Sequence, residues 1–134
     1  MPPPLILDPT QLDLTNCVAD RTEIQRCNPH RHEFQLLDAV VHLDTDRGVY
    51  AGFHDIRPDA FWVRGHIPGR PLFPGVLMIE CAAQLVSYYV MTHSEVKGFL
   101  GFGGVDEVKF RGQVKPGDRL IMLGKMLEMR GRRR

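Results

Sequence analysis

Glu80 is the first residue that asks for a chemical explanation, because it stands inside an almost wholly apolar run from Val76 to Met91. A carboxylate in such surroundings must be partnered or have its pKa pushed up, and a raised pKa makes it a proton donor near neutral pH. Gln84 and Ser87 follow at i+4 and i+7, so on a helix the three polar groups share one stripe. That stripe could face solvent, pair across a subunit contact, or do chemistry. His66 favours chemistry: it lies in Gly65-His66-Ile67-Pro68-Gly69-Arg70-Pro71-Leu72-Phe73-Pro74-Gly75, whose three prolines forbid a helix and brace an imidazole at the mouth of the following one. The helix start supplies a third group. No Ser, Thr, Asp or Asn stands at its N-cap, so the first N–H groups, near Gly75 and Val76, are left for a ligand oxygen that the helix dipole favours. Together these offer a base, an acid and an oxyanion site.

Other chemistries find less support. His30-x-His32 suggests a metal, but no third ligand with suitable spacing accompanies it. Serine occurs only at Ser87 and Ser94, and neither lies in a G-x-S-x-G elbow. No phosphate-cradling glycine motif is present. Cys81, on the apolar helix, reads as core packing.

The elements that must position these groups are short and antiparallel around one long helix. Asp20 caps a first helix, with Glu23 in capping-box spacing, and Pro29 ends it. Phe34–Leu43 and Val49–Ile56 read as two strands joined by a turn at Asp44-Thr45-Asp46-Arg47-Gly48. Pro74 opens a helix from about Gly75 to Thr92, apolar almost all round, which predicts that it is wrapped rather than laid on a surface. Phe99–Phe102, Val105–Arg111 and Arg119–Leu127 read as further strands, the last two joined across Lys115-Pro116-Gly117-Asp118. The pattern predicts an α+β fold, a curved antiparallel sheet around a long central helix. Residues 1–19 are proline-rich, then irregular, and are set apart as an N-terminal extension to a domain of residues 20–134.

The chain has 134 residues, 43% of them hydrophobic and 25% charged, which suits one folded domain. Lys and Arg total 17 against 16 Asp and Glu, so no global charge drives it to nucleic acid or an anionic membrane. The distribution is uneven, however. From Arg111 onward eight basic residues face only Asp118 and Glu128, a net +6 that leaves the first 110 residues at −5. Arg132–Arg134 read as a solvated tail, and Arg111, Lys115 and Arg119 as a patch for an acidic partner. Cys17, Cys27 and Cys81 cannot all pair within the chain, which fits a reducing cytoplasm. The N-terminus lacks the basic start and long apolar run of a signal peptide, and Val76–Met91 falls short of the roughly 20 residues a membrane span needs.

From Gly65 through Glu80, with Ala83-Gln84, the sequence resembles the 3-hydroxyacyl-acyl-carrier-protein dehydratases of the hot-dog fold. Pro29-His30-Arg31, Leu37-Asp38, Gly104–Phe110 and Val114-Lys115-Pro116-Gly117-Asp118 extend the likeness from about Asp20 to the end. The resemblance implies dimers whose sheets join, with active sites built from both subunits. It also implies catalytic roles for His66 and Glu80 and no metal or redox cofactor. Gly75, Val76 and Gln84 are expected to bind substrate, while Arg111, Lys115 and Arg119 dock the acyl carrier protein. Glu80 lies five residues past Gly75, roughly 7.5 Å along the axis, so a neighbouring chain's imidazole reaches it more easily than its own. Glu rather than Asp at position 80 resembles the branch that only dehydrates. Two features depart from the family: Ile67 replaces the usual aromatic residue, and the family pattern adds two strands beyond Arg130. A sheet lacking its last strands, or a fragment, is therefore expected. The alternatives are a non-catalytic acyl-thioester-binding module and a thioesterase on the same fold.

Overall fold

The computed structural model describes residues 5–93 and 101–127. In chain order it contains helix α1 (Arg21–Cys27), strands β1 (Ala39–Asp44) and β2 (Val49–Asp55), helix α2 (Gly75–His93) and strand β3 (Arg119–Lys125). The strands form one antiparallel sheet in the order β1-β2-β3. Register runs from Ala39 opposite Phe53 to Asp44 opposite Val49, and from Val49 opposite Lys125 to Asp55 opposite Arg119.

α1 forms where expected: the Asp20 carboxylate accepts the Glu23 N–H at 2.9 Å, and the helix ends at Cys27, before Asn28-Pro29. The β1–β2 turn uses Gly48 at φ +67°, a conformation that favours glycine, and Gly117 at φ +97° does the same before β3. α2 then lies across one face of the sheet, with Leu77, Cys81, Leu85, Tyr88 and Tyr89 in a core shared with Leu37, Val40, Tyr50, Trp62, Phe73 and Met122. Close approach depends on Gly52, where a Cβ would stand 2.6 Å from the Ala39 carbonyl and 3.2 Å from a Leu85 methyl. By length and mean hydropathy, 1.3 over its best window, α2 would suffice to cross a bilayer. Its burial against sheet and α1 instead makes it the core helix of this fold.

Three expectations change. The first strand begins at Ala39 rather than Phe34, because His32–Phe34 form a 3-10 turn and the N–H groups of Leu36 and Leu37 are taken by the Gln84 side chain. Val105–Arg111 is not a strand: residues 101–113 make no backbone hydrogen bond to another described residue, and a strand exists only through a partner's ladder. Phe102, Val105, Val108 and Phe110 of this segment are exposed. Of the expected strand at 99–102, residues 99 and 100 lie outside the described residues. Finally, the wrapping is uneven among the described residues: Val76 in the first turn is 71% exposed, whereas Gln84, Leu85, Ser87, Tyr88, Tyr89 and Val90 are buried.

Residues 5–19 also lie on the sheet. Leu7, Leu12 and Leu14 pack on its outer face against Ala39, Val41, Ala51 and Phe53, and Ala19 bridges to Val40. A period-free segment gave no warning of this, since three leucines following a sheet face need no regular spacing of their own.

Asp38 joins α1 to both ends of the hairpin. Its buried carboxylate accepts from Arg21 at 2.5 Å, Arg57 at 2.9 Å and the Asp55 N–H at 2.7 Å, with His54 Nδ1 at 3.0 Å. Burial pushes the carboxyl upward, but the hydrogen bonds from His54, Asp55, Arg57 and Arg21 outweigh it and hold the group well below the usual carboxylate range. A depressed folded pKa gives stability that is complete above the unfolded value, about 3.9, and is lost as pH falls toward the folded one. Asp38→Asn should therefore cost on the order of 3 kcal/mol near neutrality. It should also flatten the acid loss of stability, measured by urea unfolding between about pH 5 and pH 2. Wild-type stability and acid dependence in this variant would refute the assignment.

Candidate functional site

The loop before α2 is held by its own backbone. Gly65 and His66 N–H groups donate to the Trp62 carbonyl, Ile67 and Arg70 exchange two hydrogen bonds, and Leu72 N–H donates to the His66 carbonyl at 2.9 Å. Phe73, 3% exposed, locks the far end by packing on Trp62, and its N–H reaches the Val114 carbonyl at 2.7 Å. The consequence falls on His66. Its Nδ1 lies 2.8 Å from the Leu72 carbonyl, which can only accept, so in the neutral ring Nδ1 carries the proton and Nε2 the lone pair. The imidazole is exposed and oriented as a base.

Glu80 sits one and a half turns into α2 with its side chain 30% exposed. The expected alternatives were a partner or a displaced pKa, and the structure supplies partners. Oε1 accepts from Gln84 Nε2 at 3.0 Å and stands 3.2 Å from His30 Nε2. The polar stripe thus faces inward, toward the segment between α1 and β1, rather than solvent.

Gln84 has no capacity left for substrate. It is 1% exposed; its Oε1 accepts from Leu36 and Leu37 N–H at 3.0 and 3.1 Å, and its Nε2 donates to Glu80 and, at 2.7 Å, to the Phe34 carbonyl. The residue expected to touch substrate instead fixes the acid. Asn28 strengthens the same junction through Nδ2 to the Gln84 backbone carbonyl at 2.9 Å. Nothing in the spacing of Asn28 and His30 disclosed these contacts with α2. The resemblance covered Pro29-His30-Arg31 without giving it a role.

At the helix start, Leu77 and Met78 N–H groups both donate to the Pro74 carbonyl, while Gly75 and Val76 N–H groups make no hydrogen bond to another described residue. These two donors are available to an oxygen. The tip of the half-exposed Phe110 ring rests against Gly75, where a Cβ would meet it at 2.9 Å and push it aside. His66 and Glu80 share no hydrogen bond or ion pair among the described residues. Cys81 is fully buried and its thiol is pushed up to about 12, chiefly by burial and then by Asp38 and Glu80, which suits packing and not nucleophilic work. Of the basic patch, Arg111 and Lys115 are exposed. Arg119 is engaged with Asp55 at 2.6 and 3.1 Å and lies 3.8 Å over the Phe53 ring.

A long apolar helix on an antiparallel sheet, with a histidine loop at its mouth and an acid on its second turn, defines a hot-dog-type α+β protein. The chain belongs to the FabA-like family, whose pattern matches residues 28–134. It is 43% identical over 110 residues to the 3-hydroxyacyl-acyl-carrier-protein dehydratase FabZ of Alkaliphilus metalliredigens, which covers 81% of this chain and 74% of that protein. The FabZ of Moorella thermoacetica is 37% identical over 114 residues, 84% of this chain and 79% of its own. Among solved structures, the dehydratase heterocomplex ApeI:P from Xenorhabdus doucetiae aligns with a TM-score of 0.47 and 26% identity, over 63% of this chain and 70% of that one.

Gln84→Leu should leave two N–H groups, one carbonyl and one side of Glu80 unsatisfied, at about 1–3 kcal/mol each where buried. A fall in melting temperature on the order of 10 °C is expected in a thermal scan. A melting point within a degree or two of wild type would show that the four hydrogen bonds do not hold this junction.

Proposed function

We propose that this protein removes water from a (3R)-3-hydroxyacyl thioester carried on acyl carrier protein, giving the trans-2-enoyl thioester, in fatty-acid synthesis. The observation that carries the reading is the His66 tautomer: an exposed imidazole, fixed as a base, in the loop that opens the helix bearing Glu80. His66 Nε2 takes the C2 proton, and the C–H electron pair becomes the C2–C3 double bond. The C3–O bond breaks as the Glu80 carboxyl protonates the departing hydroxyl, so water leaves. The Leu72 carbonyl stabilises the imidazolium, and the Gly75 and Val76 N–H groups receive the thioester oxygen. Proton transfers suffice, so the reaction requires no metal or redox group from the chain.

The site is completed by a second copy. Supporting this are the unladdered segment 101–113 with its exposed apolar side chains and the open face of α2 at Val76. Pairing two such segments would join the sheets and bring the partner's imidazole toward Glu80. Cys17, Cys27 and Cys81 are all free thiols, which supports a reducing cytoplasm.

Incubating the protein with a 3-hydroxyacyl-carrier thioester should raise enoyl absorbance without releasing free thiol. Thiol release would mark a thioesterase, and neither signal a binding module. His66→Ala and Glu80→Gln should each lower turnover by about 10²- to 10⁴-fold while remaining folded. Mixing the two variants should restore part of the activity through hybrid dimers with one intact site. Near-normal turnover in either variant would sink the assignment.

Arg111 and Lys115 supply the docking charge for the acidic carrier. Reversing both should raise KM for carrier-bound substrate with little change in kcat, and should spare a short thioester without carrier. Arg119→Glu should differ by harming both substrates, because it breaks the pair with Asp55. Equal losses on both substrates from the Arg111 and Lys115 reversals would end the docking proposal.

A further inference from the structure

The dehydration reading makes no use of one well-placed group, the imidazole of His30, in the connection between α1 and β1. That connection is unusually tied down for a loop. Arg31 donates to the carbonyls of Gln25, Asn28 and His30 at 2.9, 2.9 and 2.7 Å, closing the end of α1, while Asn28 anchors the segment to α2. The result is an imidazole delivered to the carboxyl of Glu80, Nε2 standing 3.2 Å from Oε1.

The other ring nitrogen decides the protonation. His30 Nδ1 is buried with no hydrogen-bond partner among the described residues, so a proton there would be an unsatisfied buried donor. A bare lone pair in that position is less costly than an orphaned N–H, and a doubly protonated ring would strand a charged donor. The tautomer that leaves no orphaned donor carries its proton on Nε2, the nitrogen that faces Glu80. Oε1 of Glu80 accepts from Gln84 Nε2 at 3.0 Å and lies 3.2 Å from the protonated nitrogen of His30.

Resting on the dehydratase reading above, we infer that His30 is a positioning residue for Glu80. With Gln84 it holds Oε1 as the accepting oxygen, so that Oε2 carries the proton delivered to the departing C3 hydroxyl. The device also separates the two histidines by tautomer. His66 is protonated on Nδ1 and accepts a proton at Nε2, whereas His30 is protonated on Nε2 and only donates.

The test compares His30→Leu, His30→Gln and the wild type, each with Glu80 and with Glu80→Gln, using the full chain and a 3-hydroxyacyl-carrier substrate. With Glu80 present, His30→Leu should lower kcat by about tenfold or more with KM nearly unchanged, and His30→Gln, whose amide can still donate, should recover most of it. In the Glu80→Gln background His30→Leu should cost nothing further, because its effect passes through the lost carboxyl. If His30→Leu does not fold, as judged by circular dichroism, His30→Asn takes its place, its amide being too short to reach. Equal losses from the His30 change in both backgrounds, or wild-type kcat in His30→Leu, would overturn the inference while leaving the dehydratase reading intact. Full activity in Glu80→Gln would overturn both. Nitrogen-15 histidine spectra give a readout independent of turnover: His30 should show the Nε2–H form, and an Nδ1–H form would contradict the proposal.

Discussion

One buried amide holds the site in place. The Gln84 side chain meets four chain groups at once, three from the segment 34–37 and one from Glu80, in a setting where each unmet group would be costly. Because Leu36 and Leu37 spend their N–H groups on Gln84, the chain stays out of the sheet until Asp38, whose N–H donates to the Phe53 carbonyl. Because Glu80 spends Oε1 on Gln84, its carboxyl has a set orientation. The same amide thus determines where β1 starts and where the acid points.

The second constraint is a shortage of cover. A three-stranded sheet shields one side of α2, and the chain covers the sheet's outer face with Leu7, Leu12 and Leu14. Apolar surface is left at Val76 and along 101–113, where Phe110 rests against Gly75 at the helix start. Surface of this kind at the helix mouth is what the proposed two-chain active site would require of each chain.

Features set by neighbouring residues were legible in the sequence. The Asp20 cap, the Gly48 and Gly117 turns and the Pro74 helix start each depend on one residue's own backbone preference, and His66 and Glu80 stood out as polar types in a rigid loop and an apolar run. What depended on long-range geometry was not legible. Gln84 reads as a surface or substrate group until the segment 34–37 is placed against it. Val105–Arg111 has strand composition but finds no ladder within the described chain. Arg119 counts as free charge until β3 pairs with β2 and sets it beside Asp55 and Phe53. His30 carried a motif without a role because its partner lies fifty residues away on another element.

Solvent isotopes address the central claim, that the His66 and Glu80 groups exchange water across C2 and C3 and leave the thioester alone. The enoyl-carrier thioester is incubated with the protein in deuterated, oxygen-18 water, and the carrier-bound product is read by mass spectrometry. The site described here predicts a 3-hydroxyacyl product still attached to the carrier, with one deuterium at C2 and the heavy oxygen on C3. Heavy oxygen in a released carboxylate, or a substrate recovered unlabelled, would contradict it.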